Sequence, residues 1–355
     1  MKTYKIILNP ISGRGTGKRL VPQTINLLRS AGLDFDLVET ERPGHAIELA
    51  RQAACEGYQV VVAAGGDGTA NEVLNGLMQA QAQGFRAVLG LLPVGRGNDF
   101  AYGVEALSTP ITAPAEGRIQ AQVRRMRMYA SSVPLVGLSK EAAQKPTPAP
   151  KGLVEAVDAL KKDHRKVIDV GRVTSDLYPD GRYFGNGVGI GFDAVVGFEA
   201  LKLPPGLNGF LAYTLAALKT IFLFDQAPLM EIETDGQKFN RRCLMVSVMN
   251  GKRMGGGFMM APKGQTGDGS FDLCIAGQVN RLGILGLIPR FMKGTQAGHP
   301  AIEFRQARQV KVAALEGALP AHADGETLCV EGQRVEMAII PQALEVVVPG
   351  PEKEL

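Results

Sequence analysis

The residues with the clearest chemical content form one short stretch, in which Asp67 stands between glycines in Gly65-Gly66-Asp67-Gly68-Thr69. The preceding Val60-Val61-Val62-Ala63-Ala64 is an apolar, β-branched run of the kind that makes a strand buried on both faces. Thr69 followed three residues later by Glu72 fits a capping box and predicts a helix from Ala70 to about Gln81. The end of the strand therefore meets the start of a helix, which is where ligands bind in open α/β sheets. Free backbone N–H groups and the positive end of the helix dipole favour a phosphate there, and glycines let the backbone approach it. A carboxylate beside a phosphate needs a cation between them, so Asp67 reads as a partner of a Mg²⁺-nucleotide. A plain corner with Asp67 merely exposed would account for the glycines, but less well for an acid wedged between two of them.

Other stretches carry related signals. Asn9-Pro10-Ile11-Ser12-Gly13 begins a loop running to Lys18 that again joins a strand to a helix, a phosphate-binding layout. It is not a P-loop, because Gly13 to Gly17 is one residue short of that spacing and Arg19 follows Lys18. The loop Gln265 to Ser270 sets Asp268 between glycines, which suits oxygen-only ligation of Mg²⁺ or Ca²⁺; a simple Asp-Gly hairpin turn reads equally from the same residues. Asp193, after a glycine-spaced strand, either lines a cleft or belongs to a bulged strand. Ala323-Asp324-Gly325-Glu326 is by composition a turn.

The elements that must position these groups follow from patterning. Tyr4–Leu8, Phe35–Thr40, Val60–Ala64 and Val88–Leu92 are strand-like, with helical spacing between them from Leu20 to Leu28 and from Gly44 to Cys55. This is a Rossmann-like, doubly wound α/β half without its GxGxxG. Residues 105–151 lose periodicity and are rich in proline, and within them Val123 to Tyr129 reads as an edge strand or as a membrane-surface finger. After a helix at Leu153–Leu160, strand patterning dominates 152–340, at Met230–Thr234, Arg242–Asn250, Val310–Ala313 and Val335–Ile340. The segment 341–355 contains a last strand, Leu344–Val348. Apolar helices at Phe210–Phe224 and Arg281–Lys293 read as core, with a lipid-facing edge as the alternative for the first and interfacial membrane contact for the second.

Taken in order, these stretches resemble the diacylglycerol kinase-like lipid kinases. Gly65 to Thr69 is similar to their GGDGT motif and Asn9-Pro10-Ile11-Ser12-Gly13 to their NPxSG motif. Pro93-Val94-Gly95-Arg96-Gly97-Asn98-Asp99-Phe100-Ala101 is similar to PxGTxNDFA, the segment ending Gly191-Phe192-Asp193-Ala194 to GFDA, and Asp324-Gly325-Glu326 to DGE. The GGDGT motif is shared with NAD kinases, which lack NPxSG. The resemblance implies a Rossmann-like ATP-binding domain at 1–104 and an insertion at 105–151. It further implies a β-rich, sandwich-like lipid domain at 152–340 and a tail, 341–355, that returns to the first domain. It implies ATP held by Asn9, Pro10, Ser12, Gly13, Thr40, Gly65, Gly66, Asp67, Gly68, Thr69, Asn71, Gly95, Arg96 and Asn98. Arg96 stands where the family has a hydroxyl residue, so an arginine fork would meet the phosphate instead. Asp67 would hold catalytic Mg²⁺, Glu326 would be the general base, and Asp268 with the carbonyls of Gln265 and Ser270 would hold a structural Mg²⁺. The expected acceptor is a hydroxyl of diacylglycerol or a related lipid at the membrane surface. An NAD kinase-like soluble enzyme and a catalytically silent nucleotide-binding protein are the rival readings.

Composition narrows the field. With 355 residues, 45% of them apolar and 21% charged, the chain suits about two globular domains. A net charge of +4 without basic blocks interleaved with aromatics speaks against nucleic acid. The four cysteines and four histidines show no metal spacing; a reducing cytoplasm is expected, with the histidines structural or on the surface. Lys2 leads straight into the strand-like Tyr4–Leu8, so no signal peptide is expected, and the longest apolar segment falls short of the ~20 residues that span a bilayer. Cytoplasmic location with peripheral membrane association is the expectation, and a homodimer is left open.

Overall fold

The computed structural model describes residues 4–95, 97–105, 150–203, 209–223 and 227–350. Arg96 and the Val123–Tyr129 stretch therefore lie outside the described residues. The first half alternates strands and helices: β1 (Tyr4–Leu8), α1 (Ser12–Ser30), β2 (Phe35–Glu39), α2 (His45–Cys55), β3 (Val60–Gly65), α3 (Asp67–Ala82), β4 (Val88–Pro93) and a short α4 (Asp99–Gly103). The strands pair in parallel in the order β4-β3-β1-β2, joined by crossovers through helices. β3 is buried along its whole length, as its continuous apolar run requires. Alternate residues serve opposite faces. Val61 and Ala63 meet α2 and α3, while Val60, Val62 and Ala64 meet α1 and a later helix, α5 (Lys151–Lys162). That helix was counted with the second domain from sequence, but its apolar stripe is buried on the first sheet.

The second half comprises β5 (His164–Thr174), β6 (Arg182–Phe184), β7 (Gly187–Gly191), α6 (Phe192–Leu201), α7 (Gly209–Leu223), β8 (Leu229–Thr234), β9 (Gln237–Met249) and β10 (Phe271–Gly277). It continues with α8 (Arg281–Lys293), β11 (Ile302–Ala307), β12 (Gln309–Ala314), β13 (Leu319–Ala323), β14 (Glu326–Gly332) and β15 (Arg334–Val348). β9 is longer than its patterning suggests. Its first half pairs with β8 and its second with β7 and β10, so one strand turns the corner between two layers. Phe184 and Phe271 stack in the core those layers enclose, with centroids 5.5 Å apart. Helices α6, α7 and α8 cover the outer face of β9 and β10. The architecture is the expected Rossmann-like α/β half joined to a β-rich, sandwich-like half.

Two boundaries differ from the sequence reading. The helix expected from Ala70 begins at Asp67, with extended Gly66 as its N-cap and no side-chain cap. Glu72 does not complete a capping box; it accepts the N–H groups of Gly44 and Ala46 and so caps α2 instead. The two closing strands are one strand with a bulge between Ile340 and Leu344. Along its length β15 pairs with β5 and β12, and Val346 near its end pairs in parallel with Leu89 of β4. The last strand thus belongs to both halves.

Candidate active site

The glycine turn after β3 is shaped by contact. A Cβ on Gly65 would lie 2.3 Å from Thr69 Oγ1, and one on Gly95 would lie 2.3 Å from the Gly66 Cα, so neither position admits a side chain. The carbonyl of Gly65 accepts from the N–H groups of Val94 (3.0 Å) and Gly95 (3.1 Å), which ties the loop after β4 to the turn. The Asn9 amide donates to Thr69 Oγ1 (3.1 Å), and Ser12 Oγ lies 3.6 Å from the point a Gly66 Cβ would occupy. Asn98, in a left-handed conformation, donates to the Gly95 carbonyl (3.2 Å). Pro10 accepts from the Lys18 N–H, and Gly13 adopts a positive φ in the first turn of α1. Asn9, Pro10, Ser12, Gly13, Gly65, Gly66, Asp67, Gly68, Thr69, Gly95 and Asn98 therefore line the carboxyl ends of β1, β3 and β4 around the head of α3. Thr40 follows β2 and donates its N–H to Leu8 at the end of β1 (2.9 Å), one strand further out.

Asn71 has a different job. It is 1% exposed, and its amide nitrogen donates to Asp324 Oδ2 (2.9 Å) and to the Tyr183 carbonyl (3.1 Å). Its oxygen accepts from the Arg182 guanidinium (2.7 and 3.2 Å) and from Asn75 (3.2 Å). It joins the two halves and presents nothing toward the phosphate turn. Asp324 completes the junction by accepting from the N–H groups of Gly185, Asn186 and Gly187 at 2.8 to 3.0 Å.

That junction places Glu326 opposite Asp67. A Cβ on Gly68 would lie 3.2 Å from Glu326 Oε1, and the Arg182 guanidinium stands 4.0 Å from its other oxygen. The sequence reading passed over Asp99, which lies beside Asp67. A Cβ on Gly97 would sit 2.8 Å from Asp67 Oδ2 and 3.6 Å from Asp99 Oδ2. Asp67 accepts from the Phe100 N–H (3.0 Å), and Asp99 from the Gly256 N–H (2.9 Å). Arg253 reaches over from the second half. It pairs with Asp99 (2.8 Å), donates to the Gly97 carbonyl (3.1 Å) and lies 3.9 Å over the Tyr102 ring. Burial raises the pKa of Asp67, with the nearby Asp324 charge adding to it; burial and the charge of Asp67 raise Asp99 to about 7. Two acids facing one space, both displaced toward protonation, are a hard-oxygen donor set that a divalent cation would suit.

These groups form one end of a cavity of about 310 Å³. Asp67, Gly68, Asp99, Asp324 and Glu326 line that end; the rest is walled by Phe192, Val196, Leu244, Met254, Phe258, Ile284, Leu287 and Phe291 from the sandwich and its helices. Asp193 lies in the same wall, as its place after the glycine-spaced strand suggested, bonded to Ser247 Oγ (2.9 Å) and raised by burial to about 7. His322, set aside on sequence, is also there; burial lowers it to about 4. Among the missed residues, the signal for Asp99 was a second acid just past a phosphate loop. For Asp324 it was adjacency to Glu326. Arg182 and Arg253 had none. Asp268 lies outside the cavity on the surface, where its carboxylate accepts the Ser270 N–H (3.1 Å) and its charge helps to raise Asp272. That loop is anchored by buried Asp169, which accepts the Gly269 N–H (2.7 Å) and donates its own N–H to Thr266.

An acid at the head of a helix in a Rossmann-like half, faced across a cleft by a carboxylate from a β-rich half, is an arrangement that suits phosphoryl transfer. The comparisons agree. Residues 3–130 match the diacylglycerol kinase catalytic domain, and residues 186–348 match the YegS C-terminal NAD kinase beta sandwich-like domain. The chain belongs to the diacylglycerol kinase-like family of lipid kinases. It is 25% identical to a diacylglycerol kinase of Staphylococcus carnosus, over 92% of this chain and 89% of that one. It is 27% identical to a diacylglycerol kinase of Bacillus subtilis, over 88% and 86%. The crystal structure of a diacylglycerol kinase from Bacillus anthracis superposes with a TM-score of 0.66 at 19% identity, covering 99% of this chain and 97% of that one, and shares the fold.

Proposed function

We propose that this chain transfers the γ-phosphoryl group of ATP to a hydroxyl of diacylglycerol or a related lipid. The observation that carries the reading is a cavity with carboxylates at one end and aliphatic and aromatic side chains over the rest of its wall. A lipid has that division, with a reacting hydroxyl on an acyl body. A dinucleotide acceptor, polar along its length, does not suit it.

In this reading the Asn9–Gly13 loop, Thr40 and the Gly65–Thr69 turn hold the nucleotide, its phosphates meeting the N–H groups at the head of α3. Asp67 and Asp99 would hold Mg²⁺, which when bound neutralises charge on the phosphates. The apolar wall seats the acyl chain and aims the hydroxyl. Glu326 takes the hydroxyl proton as that oxygen attacks the γ-phosphorus. The new O–P bond forms while the bond to the bridging oxygen breaks, and ADP leaves with that electron pair. Asp268, with the carbonyls of Gln265 and Ser270, would hold the second, structural Mg²⁺. Among the described residues no helix is long and apolar enough to cross a membrane. We assign the enzyme to the cytoplasm, working at the membrane surface.

The test is ATP-dependent phosphate transfer to diacylglycerol, monoacylglycerol, sphingosine, ceramide and phosphatidylglycerol in mixed micelles. Transfer to one of these is expected, with Glu326→Gln slower by about 10²- to 10³-fold. Nucleotide binding with no transfer to any lipid would overturn the reading.

A further inference from the structure

Helix α8 is a thin wall. Ile284, Leu287 and Phe291 on one side of it line the cavity, while Leu282 (76% exposed), Leu285 and Met292 on the other face solvent. The neighbouring helix α7 repeats the arrangement, with Ala217 in the cavity wall and Leu215 and Leu218 exposed. Solvent-facing leucines and a methionine on two adjoining helices are more than the single exposed apolar residues any surface carries.

Charge accompanies the apolar face. The helix Arg281–Lys293 contains Arg281, Arg290 and Lys293 and no acidic residue. Arg290 and Lys293 are exposed and have no acidic partner among the described residues. Their place in the last turn also suits the helix dipole, which would explain the cations but not the leucines beside them. Pro289 removes the N–H that would otherwise bond the Leu285 carbonyl, and both residues lie on the exposed side. Leucines to enter an acyl boundary and cations to meet lipid phosphates suit one kind of partner.

We propose that the outer faces of α7 and α8 seat on the surface of an anionic bilayer, Leu282 and Leu285 entering the headgroup boundary and Arg290 and Lys293 meeting lipid phosphates. The inner faces of the same helices then stand between the bilayer and the cavity, so the lipid reaches the carboxylates by the shortest apolar path. This deepens the lipid kinase reading and rests on it for the lipid's fate, but binding to the bilayer is read separately.

The test uses the full chain and sedimentation with vesicles of phosphatidylcholine, alone or mixed with phosphatidylglycerol. Wild type binds the mixed vesicles more tightly. Leu282→Asp with Leu285→Asp lowers partitioning to both kinds of vesicle by about tenfold or more. Arg290→Glu with Lys293→Glu lowers it by about tenfold on mixed vesicles only. Val330→Asp, at an exposed apolar site on β14, changes neither. Thermal melts of the variants match wild type, since none of these side chains is buried. Wild-type partitioning by both double variants, or an equal loss with Val330→Asp, overturns the proposal. Failure to phosphorylate any lipid while these differences persist would sink the catalytic reading and leave the docking face standing.

Discussion

Two carboxylates in the wall of one cavity, Asp324 buried and Asp67 half-buried, differ in what surrounds them. Asp324 accepts from three consecutive backbone N–H groups, of Gly185, Asn186 and Gly187, and from the Asn71 amide. Asp67 accepts the N–H groups of Phe100 and Asp99 and has a second carboxylate, that of Asp99, where a donor could have been. Burial raises the pKa of both. Burial of an acid therefore says little about its purpose. The number of donors around it says more, because a satisfied carboxylate holds a structure together and an under-satisfied one awaits a ligand.

The widest separation between the two comes from removing them in turn. Asp67→Ala should slow phosphoryl transfer by about 10³-fold or more, equivalent to ~4 kcal/mol, with the melting temperature unchanged or higher, because a desolvated acid with few donors has gone. A variant with wild-type turnover at saturating Mg²⁺ would end the assignment. Asp324→Ala should do the reverse and destabilise the fold by about 3 kcal/mol, since three buried N–H groups lose their acceptor. Urea unfolding measures it, and an unchanged midpoint would show that the junction does not depend on this carboxylate. A smaller effect tests Asp193, which has a donor in Ser247 yet sits at about 7 through burial. Its native pKa lies above the unfolded value, so its contribution is full below about pH 4 and is lost as pH rises toward about 7. Asp193→Asn should flatten that decline, and its stability relative to wild type should grow by on the order of 2 kcal/mol between about pH 4 and 8. Parallel stability profiles would show that Asp193 is not displaced.

What could be read in the chain follows the range of each interaction. β3 and its glycine turn are local, a β-branched run followed by an acid among glycines, and both were legible. Glu72 looked like half of a capping box because the spacing is right. Its partners are the backbone of Gly44 and Ala46, on another helix. Asn71 looked like part of the phosphate turn because it follows it directly, yet it bonds across 253 positions to Asp324. No pattern of neighbours carries such a contact. The cavity was illegible for another reason. Leu244, Ile284 and Phe291 line it with the same residue types that fill a core, and only the fold decides which of them meet other side chains and which meet space.

The strand Arg334–Val348 sets a timetable for synthesis. Leu89 is translated early and sits on a strand whose outer edge finds Val346 only after the whole sandwich has been made. Until then β4 offers unpaired N–H and C=O groups to whatever strand is near, which is the usual opening for mispairing. The nascent first half therefore carries that open edge while the rest of the chain leaves the ribosome. The carboxylate end of the cavity becomes complete only once Asp324 and Glu326 have been made, although the motifs of the phosphate turn are made first.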